Sequence, residues 1–272
     1  MIRLAVRCRP EQAEVVLAEL VQLAPGGVEE EAGDGWIEYA IYGAEGELPD
    51  LGEVEAAAGE DLVEITSERI PDDWADRWRD FHEPTVLADG RVVIRPAWHE
   101  SPEPAALDVV IDPGQAFGTG AHPTTRMCVE MLVWLRDNGR ASGPLADLGT
   151  GSAVLAIVAA KLGWTPVLGV DHETAALDAA AENAVLNEVE MDFERANLRQ
   201  NPPPSAPTVV ANLTAPVLRD VAKNLIDAPA NLVLSGLLTD EAADVANEFA
   251  PHGLAPAERL DSGDWTALLL TS

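Results

Sequence analysis

A glycine turn between two segments of regular structure is the feature that most constrains the fold of this chain. The turn begins at Asp147, contains Gly149 and Gly151, and follows a short apolar strand. A second apolar strand comes next and ends on Asp171. A glycine turn between a strand and a helix lets a ligand approach bare backbone, and an acid at the tip of the next strand accepts hydrogen bonds from ribose hydroxyls. The spacing therefore predicts a site for an adenosine-containing cofactor.

The residue after the turn argues against a dinucleotide as that cofactor. Dinucleotide-binding turns have the pattern G-x-G-x-x-G, and this chain has Val154 where the last glycine would stand. A branched side chain there would block the approach of a pyrophosphate. An ordinary tight turn between a strand and a helix remains the alternative to a cofactor site.

The charge of the chain limits its partners. It has 17 basic and 47 acidic residues, which gives a net charge of −30. This charge argues against direct binding of nucleic acid, since phosphate binding needs a cationic surface. Two explanations stay open: a strongly solvated surface of the kind that salt-adapted proteins carry, and attraction of a basic protein substrate.

The apolar residues and the cysteines indicate a cytoplasmic protein. No run of about 18 apolar residues is present, so no transmembrane helix is expected. Arginines interrupt the apolar N-terminal run, which argues against a signal peptide. Cys8 and Cys128 have no cysteine or histidine at metal-ligand spacing, so we expect no metal site and two buried thiols in a reducing compartment.

The first part of the chain, residues 1–70, is predicted to be a small α+β domain. Alternating apolar residues predict four strands, and two helical segments lie between them, in the order β-α-β-β-α-β. This order is typical of a ferredoxin-like fold. The strands are expected at 2–8, 27–31, 36–42 and 62–70, and the helices at 10–23 and 51–58.

Residues 71–104 are interpreted as a connection. It begins with a helix in which Trp74 and Trp78 form a packing stripe. A short hairpin of strands 85–87 and 91–95 follows, and a proline-rich linker ends at Pro104.

Strands and helices alternate over residues 105–272. This alternation predicts an open doubly wound α/β sheet. The last two strands have no helix between them, so the sheet is expected to end in an antiparallel hairpin. The strands are expected at 107–111, 144–148, 166–170, 191–195, 208–211, 232–235, 254–260 and 265–271.

A polar, glycine-rich segment at 112–125 precedes the glycine turn. It offers unhindered amides, a hydroxyl and an aromatic cover for a ligand, and the unpaired N–H groups of the following helix add donors. The alternative is a surface loop that ends in a helix cap at Thr124 or Thr125. The candidate ligand-binding residues of this segment are Phe117, Gly118, Thr119 and Gly120.

A third polar segment begins at Asn212, directly after the strand at 208–211. An asparagine at a strand tip orients an amine through its side-chain oxygen, and the neighbouring backbone carbonyl offers a second acceptor. The alternative is an asparagine that caps the helix at 215–226. Since open α/β sheets bind ligands at the carboxyl ends of their strands, the three polar segments are expected to meet there.

The three segments together resemble one family. D-P-G-Q-A-F-G-T-G-A-H-P-T-T from residue 112, D-L-G-T-G-S-A-V-L-A-I from residue 147 and A-N-L-T-A-P-V-L from residue 211 are similar to motifs of the bacterial methyltransferases of ribosomal protein L11. The resemblance covers residues 72–272 well and is weaker before them. It implies a Rossmann-like seven-stranded class I methyltransferase domain at 105–272, preceded by a ferredoxin-like substrate-recognition domain at 1–70.

The resemblance also implies a reaction and its residues. The reaction is transfer of methyl groups from S-adenosyl-L-methionine to lysine ε-amines and an α-amine of ribosomal protein L11, with Asn212 positioning the amine. Carried over by position, the family's cofactor contacts fall on Thr125, Gly149, Asp171 and Asn212. Asp147, Gly151 and the four residues of the preceding segment complete the expected cofactor site.

Other interpretations stay open beside this one. The chain departs from the family's usual G-C-G-S-G at residues 149–153 and from its usual Asn-Ile-Leu at residues 212–214. Another basic protein or a small amine is the alternative substrate, and a binding module that holds a basic partner is the alternative to an enzyme. An oxidoreductase is poorly supported because of Val154. His122 is the obvious candidate base, but a structural role in its loop is expected.

Overall fold

The computed structural model of the protein describes residues 2–9, 12–13, 16, 29–33, 35–43, 64–69, 83–103, 106–112 and 120–272. The chain divides into two compact units, residues 1–81 and 82–272. The three-part division at residues 70 and 104 stays a prediction.

An antiparallel sheet of four strands forms the first unit. Its order, β2-β3-β1-β4, is the one that a ferredoxin-like fold requires, so the expected sheet is confirmed. The predicted helix at 10–23 lies mostly outside the described residues, and those at 51–58 and 71–79 lie entirely outside them. The strands are β1 (Ile2–Cys8), β2 (Glu29–Gly33), β3 (Trp36–Gly43) and β4 (Glu64–Arg69).

The two faces of this sheet differ in character. One face carries apolar side chains of β1 and β3 that pack together: Leu4, Val6, Cys8, Tyr39 and Ile41. The opposite face carries charge, because side chains alternate along a strand. There Glu38 of β3 lies opposite Arg7 of β1 in the register.

Glu38 is the centre of that charged face. It is 7% exposed and accepts hydrogen bonds from Arg3 Nη2 at 2.6 Å and from Arg7 Nη2 at 2.8 Å. Burial by itself raises the pKa of Glu38, but the hydrogen bonds and charges of the two arginines outweigh burial and hold the pKa below its ordinary value. The carboxylate therefore stays ionised inside the sheet.

A small sheet of three strands opens the second unit. It consists of β5 (Thr85–Leu87), β6 (Val92–Arg95) and β7 (Leu107–Val110), in that order. The sequence analysis placed the strand at 107–111 in the large sheet, and this prediction is wrong, because β7 pairs in parallel with β6. The hairpin of β5 and β6 gives β7 a partner that is close in sequence. Apolar side chains of all three strands pack in the core of the second unit.

The main sheet of the second unit has seven strands in the order β10-β9-β8-β11-β12-β14-β13. Strands β8 to β12 are parallel, and β14 is antiparallel to both of its neighbours. The expected doubly wound sheet with a C-terminal hairpin is confirmed. The strands are β8 (Leu145–Leu148), β9 (Val167–Asp171), β10 (Asp192–Arg195), β11 (Thr208–Asn212), β12 (Asn231–Leu238), β13 (Ala255–Ser262) and β14 (Trp265–Thr271).

Helices cover both faces of this sheet, so its central strands are apolar on both sides. The first two helices pack in one core cluster, and the last two pack in another. Cys8 and Cys128 are both buried and are not joined in a disulfide. The helices are α1 (Pro123–Asp137), α2 (Val154–Leu162), α3 (Thr174–Leu186), α4 (Ala215–Asn224) and α5 (Ala242–Phe249).

None of the helices in the described part of the chain combines the length and the apolar character that crossing a bilayer requires.

Candidate active site

Three neighbouring parallel strands bring the predicted polar segments to one edge of the main sheet. Strand β8 leads into the turn at Gly149, β9 ends at Asp171 and β11 ends at Asn212. β8 pairs with both β9 and β11, so the three carboxyl ends are adjacent. The predicted meeting of the turn, the acid and the amide is therefore confirmed.

The amides of the glycine turn are bonded to the neighbouring strand. The N–H groups of Gly149 and Thr150 donate to the carbonyl oxygen of Val170 at 2.8 and 2.9 Å. The N–H of Gly151 donates to Oδ2 of Asp171 at 3.1 Å. The turn thus offers a ligand close approach to backbone without a side chain, rather than a set of amide donors of the kind that hold a phosphate.

Asp147 lies beneath this turn and is 1% exposed. Its Oδ2 accepts hydrogen bonds from Thr150 Oγ1 at 2.8 Å and from the N–H of Ala156, in the first turn of α2, at 3.2 Å. Burial raises the pKa of Asp147 to about 7, and the charge of Asp171 adds to this, although the two hydrogen bonds lower it. The N-terminus of α2 is thereby occupied by an internal carboxyl group.

Asp171 is oriented by the backbone around it. The residue is 8% exposed, and its Oδ1 accepts a hydrogen bond from the N–H of Glu173 at 3.1 Å while its Oδ2 accepts the one from Gly151. His172 Nδ1 lies 3.3 Å from Oδ1. A carboxylate has about four lone-pair sites, so these contacts fix its orientation and still leave acceptors for two hydroxyl groups.

Asn212 contacts the first turn of α1. Its Nδ2 donates to Oγ1 of Thr125 at 3.4 Å, and Thr125 is buried at 1% exposed. Because the nitrogen faces Thr125, the side-chain oxygen is the atom that Asn212 offers to a ligand. The alternative that Asn212 caps the next helix is wrong, because the N-cap of α4 is Thr214.

Gly120 is the first described residue after the segment that contains Phe117, Gly118 and Thr119, which lie outside the described residues. It is buried and has a left-handed φ of +86°. A Cβ at this position would lie 2.7 Å from Cγ2 of Ile94 in β6. Only glycine fits both the backbone and the space, so the chain enters α1 pressed against the small sheet.

His122 caps helix α1. Its Nδ1 accepts a hydrogen bond from the N–H of Thr124 at 3.4 Å and lies 2.7 Å from Thr124 Oγ1. Its ring also packs edge-on against Trp265, with 5.0 Å between centroids. Burial lowers the pKa of His122. His122 therefore has a structural role in its loop, as expected, and the cap that the alternative placed at Thr124 or Thr125 lies at His122 instead.

Gly236 belongs to this edge, and the sequence analysis missed it. It lies at a bulge in β12 with a left-handed φ of +81°. A Cβ here would lie 2.5 Å from the carbonyl oxygen of Leu213, and a Cβ on Gly149 would lie 2.3 Å from Leu213 Cδ2. The residue after Asn212 is therefore packed against two glycines. The signal in the sequence was a glycine that interrupts an apolar strand.

The chain is similar to known methyltransferases over most of its length. The model of the family "Ribosomal protein L11 methyltransferase (PrmA)" matches residues 40–272. The ribosomal protein L11 methyltransferase of Vibrio campbellii is 42% identical over 182 residues, which is 65% of this chain and 60% of that protein. The one of Geobacter metallireducens is 40% identical over 202 residues, which is 73% of this chain and 66% of that protein. The match thus spans less than two thirds of the length of these relatives.

One solved structure is also similar in sequence. It is the ribosomal protein L11 methylase from Lactobacillus delbrueckii subsp. bulgaricus, with a TM-score of 0.60 and 26% identity. The similarity covers 70% of this chain and 98% of that one.

Proposed function

Because the chain belongs to the ribosomal protein L11 methyltransferase (PrmA) family, we propose that it transfers methyl groups from S-adenosyl-L-methionine to amines of ribosomal protein L11. One observation carries the proposal: Asp171 and Asn212 lie at the ends of strands on either side of the glycine turn. An acid that binds the ribose and an amide that binds the amine would serve both reactants from the same edge of the sheet, which supports methyl transfer between them.

The turn favours a nucleoside without phosphates. In a dinucleotide site, turn amides and a helix N-terminus receive a pyrophosphate. Here the amides of Gly149, Thr150 and Gly151 are bonded to β9, and Asp147 occupies the N-terminus of α2. A sulfonium nucleoside brings no phosphate that needs these donors, which supports S-adenosyl-L-methionine as the cofactor.

Each residue of the proposed cofactor site has its own role. Asp171 accepts hydrogen bonds from the ribose, and Gly151 allows close approach of the ligand to the backbone. Gly149 is the other expected contact of the turn, and its Cα packs against Leu213. Asp147 does not contact the ligand but stabilises the turn through its hydrogen bonds with Thr150 and Ala156. The contacts expected from the sequence resemblance complete the site: Phe117, Gly118, Thr119, Gly120, Thr125 and Asn212.

For this reaction the protein mainly has to align the amine nitrogen with the methyl group. The bound cofactor supplies the activated methyl group. Holding two reactants in line contributes roughly 7–11 kcal/mol to lowering a barrier. The side-chain oxygen of Asn212 accepts a hydrogen bond from the amine, which directs the lone pair of the amine nitrogen at the methyl carbon. The nitrogen–carbon bond forms as the carbon–sulfur bond breaks, S-adenosyl-L-homocysteine is the leaving group, and the methylated amine releases its proton to water. A free lysine amine has a pKa of about 10.4, and desolvation in the site lowers it, so the amine attacks in its neutral form without a strong base.

The proposed acceptors are lysine ε-amines and an α-amine of the ribosomal protein. The net charge of −30 suits a basic partner. We infer a cytoplasmic location, because ribosomal proteins are made there.

The test is methylation of purified ribosomal protein L11 that lacks methyl groups, with isotopically labelled S-adenosyl-L-methionine. Mass spectrometry is expected to find added methyl groups on lysine side chains and at the N-terminus. Replacing Asn212 by Ala is expected to lower the rate at least 100-fold, while replacing His122 by Ala leaves turnover within threefold. Labelling of another protein or of small amines in its place would support the alternative substrates, and cofactor binding without any transfer would indicate a binding module.

A further inference from the structure

Two buried asparagines lie one helical turn apart at the end of α3. Asn183 is 1% exposed, and Asn187, at the C-cap, is 7% exposed. A side-chain amide that is removed from water needs hydrogen-bond partners. Both side chains find them on the backbone of distant segments, and the two sets of partners differ.

Asn187 bonds mainly to the open edge of the small sheet. Its Oδ1 accepts a hydrogen bond from the N–H of Val110 at 2.9 Å, and its Nδ2 donates to the carbonyl oxygen of Val110. The other edge of β7 pairs with β6. Asn187 therefore takes the place of a strand partner at the end of β7. Apart from its own helix, its side chain bonds only to Val110 among the described residues.

Asn183 joins two segments of the proposed cofactor site. Its Oδ1 accepts a hydrogen bond from the N–H of Asp112 at 2.9 Å, and its Nδ2 donates to the carbonyl oxygen of Ser152 at 3.0 Å. Ser152 belongs to the glycine turn, and Asp112 is the last described residue before residues 113–119. One planar amide thus spans the distance between the turn and the start of that segment.

Neither of the two bonded backbone groups belongs to a strand or a helix. Strand pairing therefore does not set the separation between Ser152 and Asp112, and the amide of Asn183 does so with two hydrogen bonds of fixed geometry. The amide is planar and buried, so water cannot replace either hydrogen bond. A displacement of Ser152 therefore also displaces Asp112, and the reverse.

We propose that Asn183 is a positioning residue for the cofactor, which holds the glycine turn, through Ser152, at a fixed distance from the backbone of Asp112. The proposal rests on the proposed function, since it assumes that S-adenosyl-L-methionine contacts the glycine turn. A ligand that contacts the turn gains its full affinity only when the turn is held in place, so Asn183 acts on affinity without touching the ligand.

The test compares Asn183→Asp and Asn183→Ala with the control Asn187→Ala in the full chain. Aspartate keeps the acceptor for the N–H of Asp112 but loses the donor to Ser152. Calorimetry with S-adenosyl-L-methionine is expected to give a Kd at least 10-fold higher for both Asn183 variants, and less than threefold higher for Asn187→Ala. Thermal denaturation checks that the control has a comparable loss of Tm and that all variants are folded at the temperature of the titration.

Steady-state kinetics separates positioning from general damage. With ribosomal protein L11 as substrate, Asn183→Asp is expected to raise KM for the cofactor about 10-fold and to leave kcat within threefold, because the amine contacts of Asn212 are unchanged. A Kd within threefold of the unchanged protein, or a loss of affinity that follows the loss of Tm equally in Asn183 and Asn187 variants, would overturn the proposal.

The two proposals fail in different ways. If the unchanged chain binds the cofactor but methylates no ribosomal protein, the proposed substrate is wrong and the Kd values still test Asn183. If the unchanged chain does not bind the cofactor, both proposals are wrong.

Discussion

Two carboxyl groups, one in each unit of the chain, are buried in strands and yet are stabilised in opposite ways. Glu38 in β3 has two arginines around it, and their hydrogen bonds and charges hold its pKa below the ordinary value in spite of burial. In the described part of the chain, Asp147 in β8 accepts hydrogen bonds from the neutral donors of Thr150 and Ala156, and burial raises its pKa to about 7. One site stabilises the ionised carboxylate, and the other favours the protonated form.

The difference follows from the kind of sheet. The antiparallel sheet has one apolar face, and its other face admits the partly exposed side chains of Arg3 and Arg7, which are 18% and 32% exposed. The parallel strands of the second unit are covered on both sides, and the hydrogen-bond partners of Asp147 among the described residues are neutral. A buried acid in such a sheet serves to hold the backbone, here the turn of the proposed site.

The largest effect is expected from removing Asp171, the proposed ribose-binding acid of the second unit. Asp171→Ala should raise the Kd for S-adenosyl-L-methionine at least 100-fold, because the ribose loses its acceptors and Gly151 loses its partner. Glu38→Gln is the control from the other unit and should change the Kd less than twofold. Calorimetry measures both Kd values. An unchanged Kd for the Asp171 variant would show that the cofactor does not bind at Asp171.

The next effect concerns the charged face of the first unit. Glu38→Gln should lower the free energy of unfolding by about 2 kcal/mol, because two arginines lose a nearly buried partner. Glu64→Gln is the matched control: Glu64 lies 3.6 Å from Arg7 but its side chain is 54% exposed, so a loss below about 0.5 kcal/mol is expected. Urea denaturation at pH 7 compares them, and equal losses would contradict the special position of Glu38.

The pH dependence of that effect has a definite sign. The pKa of Glu38 is lower in the folded chain than in the unfolded chain. Its stabilisation is therefore present above the pKa of the unfolded state and is lost as the pH falls through the lower folded pKa. The difference between the unchanged chain and Glu38→Gln should shrink in acid.

Backbone packing in the second unit should produce a third effect, on the reaction itself. Gly236→Ala places a methyl group against the backbone of Leu213, so it should displace Asn212 and lower the methylation rate about 10-fold. Gly253→Ala is the matched control, since Gly253 has the same φ of +81° but nothing within 4 Å of an added Cβ. Gly253→Ala should have the same backbone strain of about 1 kcal/mol from the left-handed φ, but it should leave the methylation rate unchanged. Rate assays well below both Tm values distinguish a local displacement from general destabilisation.

The smallest effect is expected from Asp147 and has the opposite pH sign to that of Glu38. The folded chain holds a proton on Asp147 up to about pH 7, whereas the unfolded chain releases it at the ordinary pKa near 4. This group therefore lowers stability as the pH rises between those values. Asp147→Asn should remove that decline, because asparagine does not titrate. Unfolding measured from pH 5 to 8 checks it, and parallel curves for the two proteins would contradict a raised pKa.

Local patterns in the sequence predicted most of the elements and the meeting of the main residues of the proposed site. Apolar alternation located β1 of the four-stranded sheet, and short apolar runs located the central strands of the seven-stranded sheet. The glycine turn, Asp171 and Asn212 were selected because each lies at the end of an apolar strand. In an open α/β sheet such residues meet at one edge, so strand order and turn chemistry were enough to predict their meeting.

Other features depend on which segments lie side by side in the folded chain. The sequence determined by itself where the elements begin and which residues end the strands, since periodicity and turn residues act over a few positions. Only the tertiary structure decided that β7 leaves the large sheet, that Leu213 packs on Gly236, and that Asn183 joins Asp112 to Ser152. The physical reason is that a hydrogen bond between residues 71 positions apart leaves no periodic trace in the chain and forms only when folding brings its two groups together.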